Sequence, residues 1–324
     1  MVEYLVQNGF QVFMVSWFNP DAEQGDWGLD TYVEALEHAA EVACEISGVD
    51  GLHMTGACSG GITTATLLSY LAAKNVDLAR SLTLLVAVLD NEGTADTSLG
   101  LFANLETLEL ARAISSSKGV LEGRDLAKVF SWLRPNELIW SYWVNNYLLG
   151  NDPPAFDLLY WNNDTTRLTA RLHSDFMTIL QNNAFIEPGS IEINGYPIDL
   201  GQIECESYVV GGTTDHITPW QGCYRTLDLL GGKKEFVLSS SGHVQSIVNP
   251  PGGKRASYRL NTDGHRSPEE FEAGAKSFEG TWWEHWRKWL ARRSGRKVNA
   301  PQALGNQDHV PLVDAPGTYI LIEA

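Results

Sequence analysis

Leu52-His53-Met54-Thr55-Gly56-Ala57-Cys58-Ser59-Gly60-Gly61-Ile62 is the stretch on which the fold turns. The short run Leu52–Thr55 reads as a strand, and Gly60–Lys74 reads as a helix of small and apolar residues. A residue set between glycines at such a junction is forced into a strained backbone. Its flanks must also let strand and helix approach closely. Gly56-Ala57-Cys58-Ser59-Gly60 therefore reads as a G-x-nucleophile-x-G turn with cysteine as the nucleophile, and Gly61 adds a third small residue. The Cys58 thiol would stand at a helix N-terminus, where the dipole favours thiolate. The competing reading is a structural thiol buried in a glycine-rich turn.

Around this stretch the pattern alternates. Gln11–Trp17 (QVFMVSW) and Ser81–Leu89 (SLTLLVAVL) read as buried strands. Trp27–Ser47 reads as an amphipathic helix, with Val33, Leu36, Ala40 and Ala43 on one face and Glu34, Glu37, Glu41 and Glu45 on the other. Alternating buried strands and helices predict a mostly parallel sheet with helices on its faces. The alternation stops at residue 91 and resumes with Ser207–Gly211, a helix after Pro219, the strand Glu235–Ser239 and a helix over Thr281–Arg293. The expected organisation is an α/β core over 1–90 and 206–297, a helical cap or lid insertion over 91–205, and an extended tail over 298–324.

Two further stretches join Cys58. Asp215 follows a late strand in Val209-Val210-Gly211-Gly212-Thr213-Thr214-Asp215-His216, and His243 follows the next in Ser239-Ser240-Ser241-Gly242-His243. The order nucleophile, acid, histidine is that of the α/β-hydrolases. All three residues fall at carboxyl ends of predicted strands, where open α/β sheets place their sites. The Ser59 backbone N–H is the expected oxyanion donor. His216, beside the acid, is expected to pack or support, and His53 to be a core histidine. Asp90 either touches the site or caps a loop. His38, His173, His265, His285 and His309 show no metal-ligand spacing, so no metal is expected. Cys44, Cys205 and Cys223 read as buried thiols.

Composition narrows the class. With 44% hydrophobic and 19% charged residues, the 324-residue chain is not a disordered one. No apolar run is long enough to span a membrane, and no signal peptide or CxxC pair is read, so a cytoplasmic protein is expected. A net charge of −17 argues against nucleic acid. Residues 251–297 run against that charge, with 11 basic and 6 acidic side chains. Arg292 and Arg293 there are either a solvated helix face or a landing place for an anion. The 11 tryptophans include two groups, Trp132, Trp140, Trp143, Trp161 and Trp282, Trp283, Trp286, Trp289, and such groups read as core or interface.

Several stretches together resemble the polyhydroxyalkanoate synthases of the medium-chain, single-subunit class. They are Gly56-Ala57-Cys58-Ser59-Gly60-Gly61, Leu133-Arg134-Pro135-Asn136, Asn145-Asn146-Tyr147-Leu148-Leu149-Gly150, Trp161-Asn162-Asn163-Asp164, Asp215-His216-Ile217-Thr218-Pro219-Trp220 and Ser241-Gly242-His243 with Asn249-Pro250-Pro251. The resemblance implies polymerisation of (R)-3-hydroxyacyl-CoA with release of CoA, through an acyl group on Cys58. His243 would be the general base and Asp215 the orienting or activating acid. No cofactor is implied beyond the CoA of the substrate. The implied partners are the growing polyester, the granule surface and a second copy in a homodimer through the insertion. The triad fits a cysteine-dependent thioesterase or lactone hydrolase equally well, and a non-catalytic fragment that binds full-length synthase or granules is a third reading. The resemblance also implies that the first strands of the sheet are missing. Gln11–Trp17 would then be the strand numbered four and Leu52–Thr55 strand five. A gap beside the latter, or a direct pairing of the two, is expected, with weak or no activity.

Overall fold

A computed structural model describes residues 1–93, 105–133, 139–153, 164–253, 255–263 and 267–322. In chain order its main elements are α1 (Val2–Gln7), α2 (Leu29–Ser47), β1 (Leu52–Ala57), α3 (Ser59–Ala73), β2 (Ala79–Leu85), α4 (Leu105–Lys118), α5 (Gly123–Leu133) and α6 (Ala170–Asn182). Then come β3 (Glu206–Gly212), α7 (Trp220–Leu229), β4 (Lys234–Ser239), α8 (His243–Ile247), β5 (Ser257–Leu260), α9 (Pro268–Gly274), β6 (Lys276–Glu279) and α10 (Trp282–Ala291). Leu133-Arg134-Pro135-Asn136 lies partly, and Trp161-Asn162-Asn163 and His265 lie wholly, outside the described residues.

The six strands form one sheet in the order they occur along the chain. β1, β2, β3 and β4 are parallel, and β5 and β6 close the far edge antiparallel. The register aligns Ala57 with Leu85, Leu85 with Val210, and Gly212 with Ser239. The carboxyl ends of the parallel strands therefore share one rim. β2 is buried over five consecutive residues, as a strand covered on both faces must be. It stops at Leu85, short of the predicted Leu89. Val86 takes φ 46° and gives its N–H to Val210 O at 2.8 Å, which ends the ladder.

The prediction for Gln11–Trp17 fails. The segment joins no sheet, so strands four and five do not pair, and the outer side of β1 is left open as the gap alternative expects. Phe13, Met14, Val15 and Trp17 are exposed, and β1 is the last strand of the sheet among the described residues. A strand needs a ladder partner, and β-branched composition cannot supply one. β5 and β6 are the opposite error. Their sequences, Ser257-Tyr258-Arg259-Leu260 and Lys276-Ser277-Phe278-Glu279, fall in the basic stretch and carry no strand signal of their own. β6 is fully exposed at the sheet edge, where charge discourages further pairing.

The chain divides into two compact units. The first comprises Met1–Val15, Leu29–Thr94 and Asn182–Leu312, the second Ser16–Gly28, Ala95–Gln181 and Val313–Ala324. In the first unit α10 lays Trp282, Trp283, Trp286 and Trp289 against Leu85, Tyr208, Val210 and Val237. The second tryptophan group is thus core, as expected. In the second unit, Ser115 Oγ and His173 Nδ1 meet at 2.9 Å in the interior, and Asn19 Nδ2 donates to Ile322 O at 3.2 Å. Trp140 and Trp143 are about half exposed (49% and 48%), so these two are not core. No helix among the described residues is long and apolar enough to cross a membrane.

The indoles also satisfy backbone. Trp282 Nε1 donates to Ser246 O at 2.7 Å and Trp283 Nε1 to Ile247 O at 3.1 Å. Trp286 Nε1 reaches Thr83 Oγ1 at 3.0 Å. Trp282→Phe keeps most of the packing but removes one donor from a buried carbonyl. It should cost about 1–3 kcal/mol, read as a lower urea midpoint at unchanged slope.

Candidate active site

Strand β1 ends at Ala57 and helix α3 begins at Ser59, so Cys58 alone makes the reversal. Its φ of 51° and ψ of −124° are a conformation that L-residues rarely adopt. Two hydrogen bonds hold it: Cys58 N–H donates to Leu85 O, and Gly61 N–H donates to Cys58 O, both at 2.9 Å. The flanking glycines divide the work unevenly. A Cβ on Gly56 would stand 2.5 Å from Gly60 O, and one on Gly61 would stand 2.4 Å from the Ala87 Cβ. A Cβ on Gly60 would meet nothing within 4 Å. Close approach therefore explains Gly56 and Gly61 but not Gly60.

Asp215 and His243 come from the next loops along the rim. Asp215 follows β3 in a tight turn and is buried. Its Oδ1 accepts Ile217 N–H and Thr218 N–H, each at 2.9 Å. Its Oδ2 accepts Thr218 Oγ1–H at 2.8 Å and lies 2.7 Å from His243 Nδ1. His243 is the first residue of α8, the short helix whose late carbonyls the two tryptophans hold. The Cys58 side chain lies close enough to the same histidine to raise its pKa. The structure thus brings Cys58, Asp215 and His243 together.

The charges follow from this arrangement. Burial opposes the imidazolium, but the hydrogen bonds to Asp215 and Cys58 and their charges outweigh it and push the His243 pKa up to about 10. For Asp215, burial raises the pKa, and the bonds from His243 and Thr218 overcome it, leaving the carboxyl below its ordinary value. Burial pushes the Cys223 thiol well up, with the nearby Asp215 and Cys58 adding to the shift.

The remaining predicted residues fall as follows. Ser59 is the first residue of α3, so its N–H belongs to the helix's first turn, whose amides have no intrahelical acceptor. His216 is half-buried beside Asp215. Asp90 caps a loop: its Oδ1 accepts Glu92 N–H at 2.9 Å and Asn183 Nδ2–H at 2.8 Å, and Arg225 lies 3.6 Å from Oδ2. Cys44 and Cys223 are buried, and Cys205 is half-buried with its pKa pushed up by burial to about 11. His53 is half-buried between Ser81 Oγ at 2.7 Å and Ser294 Oγ at 3.0 Å, and burial holds its pKa down at about 4.

Arg292 and Arg293 lie at the wrong end for an anion bound near Cys58. Arg293 pairs with Glu206, the first residue of β3, and stacks on Trp289 at 3.8 Å. The rim carrying Asp215 begins six residues on, about 20 Å away along the strand. Arg292 is exposed, as a solvated helix face requires. Thr218 also joins the Asp215–His243 pair through its hydroxyl. The signal was present: Asp215-His216-Ile217-Thr218 has the spacing of an Asx turn closed by a hydroxyl residue.

A nucleophile turn between a strand and a helix, with acid and histidine on the same rim, accords with the match of residues 1–250 to the α/β hydrolase fold model. The chain belongs to the α/β-hydrolase fold family. Within this α/β-hydrolase family its similarity to known proteins is extensive. It is 48% identical to poly(3-hydroxyalkanoate) polymerase 1 of Ectopseudomonas oleovorans over 99% of this chain and 57% of that one. It is 40% identical to the poly(3-hydroxyalkanoate) polymerase subunit of Cupriavidus necator over 100% of this chain and 56% of that one. The chain thus spans little more than half the length of these curated relatives. Among solved structures, the monoacylglycerol lipase of Paleococcus ferrophilus aligns at 15% identity over 90% of this chain and 88% of its own, with a TM-score of 0.42.

Two predictions follow from the geometry. Gly61→Ala should lower stability by about 1–3 kcal/mol because Ala87 blocks the new methyl, whereas Gly60→Ala should be neutral or slightly stabilising. Urea midpoints of the two variants check this. The second concerns pH. The His243 pKa is raised on folding, so its contribution is full below the unfolded value of 6.5 and is lost as pH rises through about 10. The urea midpoint should fall across that window, and Asp215→Asn should flatten the fall.

Proposed function

We propose that this chain carries the reaction centre of a poly(3-hydroxyalkanoate) polymerase, which joins (R)-3-hydroxyacyl groups from CoA thioesters into a polyester. The observation that supports this most is the Cys58–His243–Asp215 contact set at a strained strand-to-helix turn, in a chain 48% identical to named polymerases.

In this reading His243 takes the Cys58 proton, and the thiolate attacks the thioester carbonyl. The C–S bond to CoA breaks, the CoA thiolate takes the proton from the imidazolium, and a hydroxyacyl group remains on Cys58. The 3-hydroxyl of the next unit then gives its proton to His243 and attacks this acyl group. An ester forms and Cys58 recovers its proton. A thiolate suits the task because exchange between two thioesters is nearly balanced, so the acyl group stays transferable. The Ser59 N–H stabilises the oxyanion. Asp215 keeps the imidazole oriented and favours its charged form, and His216 supports the turn. The steps need no cofactor other than the CoA that the substrate brings. Granule association, a cytoplasmic location and a homodimer belong to the same reading.

The test is incubation of the purified protein with (R)-3-hydroxyacyl-CoA, following free CoA and analysing the product. CoA release with polymer supports the reading. CoA release with only free hydroxy acid would make the chain a thioesterase, and no release would leave it a binding fragment. Cys58→Ala should lower release by about 10³-fold or more, since it removes the nucleophile.

A further inference from the structure

Three polar atoms at the site lie pairwise within hydrogen-bond reach. Asp215 Oδ2 is 2.7 Å from His243 Nδ1, Thr218 Oγ1 is 2.8 Å from the same Oδ2, and Thr218 Oγ1 is 3.0 Å from Nδ1. A hydroxyl has one proton to give and lone pairs to spare. With the Thr218 O–H donated to Oδ2, the Nδ1–H of His243 is shared between Oδ2 and the threonine oxygen. Thr218 itself has little freedom. Its N–H is bound to Asp215 Oδ1 at 2.9 Å, its carbonyl accepts the Cys223 thiol at 3.7 Å, and Pro219 follows it and disfavours helical backbone.

We propose that Thr218 is a positioning residue for the acid–histidine pair. Its hydroxyl holds Oδ2 on the Nδ1 side of the ring and limits how much of the carboxylate charge the imidazole receives. The inference rests on reading Asp215 and His243 as the acid and base of the reaction. It answers a difficulty in that reading. A buried carboxylate with one cationic partner makes that partner very basic, and a base that never releases its proton cannot serve a cycle with two proton transfers. A second donor on Oδ2 shares the charge and draws the imidazole back towards the working range.

The groups facing this pair from the elements around it are the Cys58 thiol on the histidine, the Cys223 thiol from α7, and His216 in the same turn. Of these only Cys223 is touched by the Thr218 side chain, and losing that contact pushes its buried thiol's pKa further up, so it stays uncharged. Thr218→Val keeps the branched shape and removes the hydroxyl, Thr218→Ala removes both, and Thr218→Ser keeps the hydroxyl alone.

The experiment is NMR titration of ring-labelled histidine in the full chain, with the His243 signal identified by its loss in His243→Gln. It needs no catalytic turnover. The Val and Ala variants should raise the His243 midpoint by about half a pH unit or more, and the Ser variant should titrate like the parent. An unmoved or lowered midpoint in both Val and Ala would overturn the proposal. Asp215→Asn separates the two levels of the argument. It should lower the midpoint strongly. If it does not, the acid–histidine reading itself falls; if it does while Val and Ala leave the midpoint unmoved, only the role of Thr218 falls.

Discussion

The structure depends on a chain reversal made by a single residue. Cys58 must turn the end of β1 into the start of α3, and it does so at a positive φ that costs about 1–3 kcal/mol for a residue with a side chain. Such a conformation persists only where its surroundings over-determine it. Here the surroundings are Leu85 O above, Gly61 N–H behind, and two glycines that let strand and helix touch. The same logic steps across the sheet. Leu85 holds Cys58, the next residue, Val86, is itself at φ 46°, and Val86 is held by Val210 O on β3. β3 in turn delivers the chain to Asp215 two residues after the strand pair ends at Gly212 and Thr213. Cys58 and Asp215 are thus tied to one another by strand register.

The histidine is placed by a different device. α8 has only five residues and would be marginal alone. The indoles of Trp282 and Trp283 bind the carbonyls of Ser246 and Ile247, while their rings fill the core on the α10 face of the sheet. The unusual tryptophan content near the C-terminus therefore serves both packing and aim. The acidic balance of the chain has a separate geometry: Arg292 and Arg293, just after α10, lie near Glu206 and Glu235 at the amino ends of β3 and β4, away from Cys58.

What was legible in the sequence was local. Strands β1 to β4 announced themselves as short apolar runs, and Cys58, Asp215 and His243 each stood just after one. Their common rim followed from the rule that parallel strands end together. What was not legible depended on partners. Gln11–Trp17 has the composition of a strand but no ladder to join, while Lys276–Glu279 has the composition of a loop and pairs with β5. Gly60 looked equivalent to Gly61, yet only Gly61 faces Ala87. Thr218 was hidden because its importance lies in where a turn aims a hydroxyl, which residue type alone does not reveal.

The central claim is that Cys58 is the residue that carries the acyl group. Rapid quenching of the protein with (R)-3-hydroxyacyl-CoA, followed by peptide mass spectrometry, tests it directly. The account predicts a hydroxyacyl adduct on the peptide containing Cys58, cleaved by hydroxylamine as a thioester is. An adduct on Cys44, Cys205 or Cys223, or CoA release with Cys58 replaced by alanine, would contradict it.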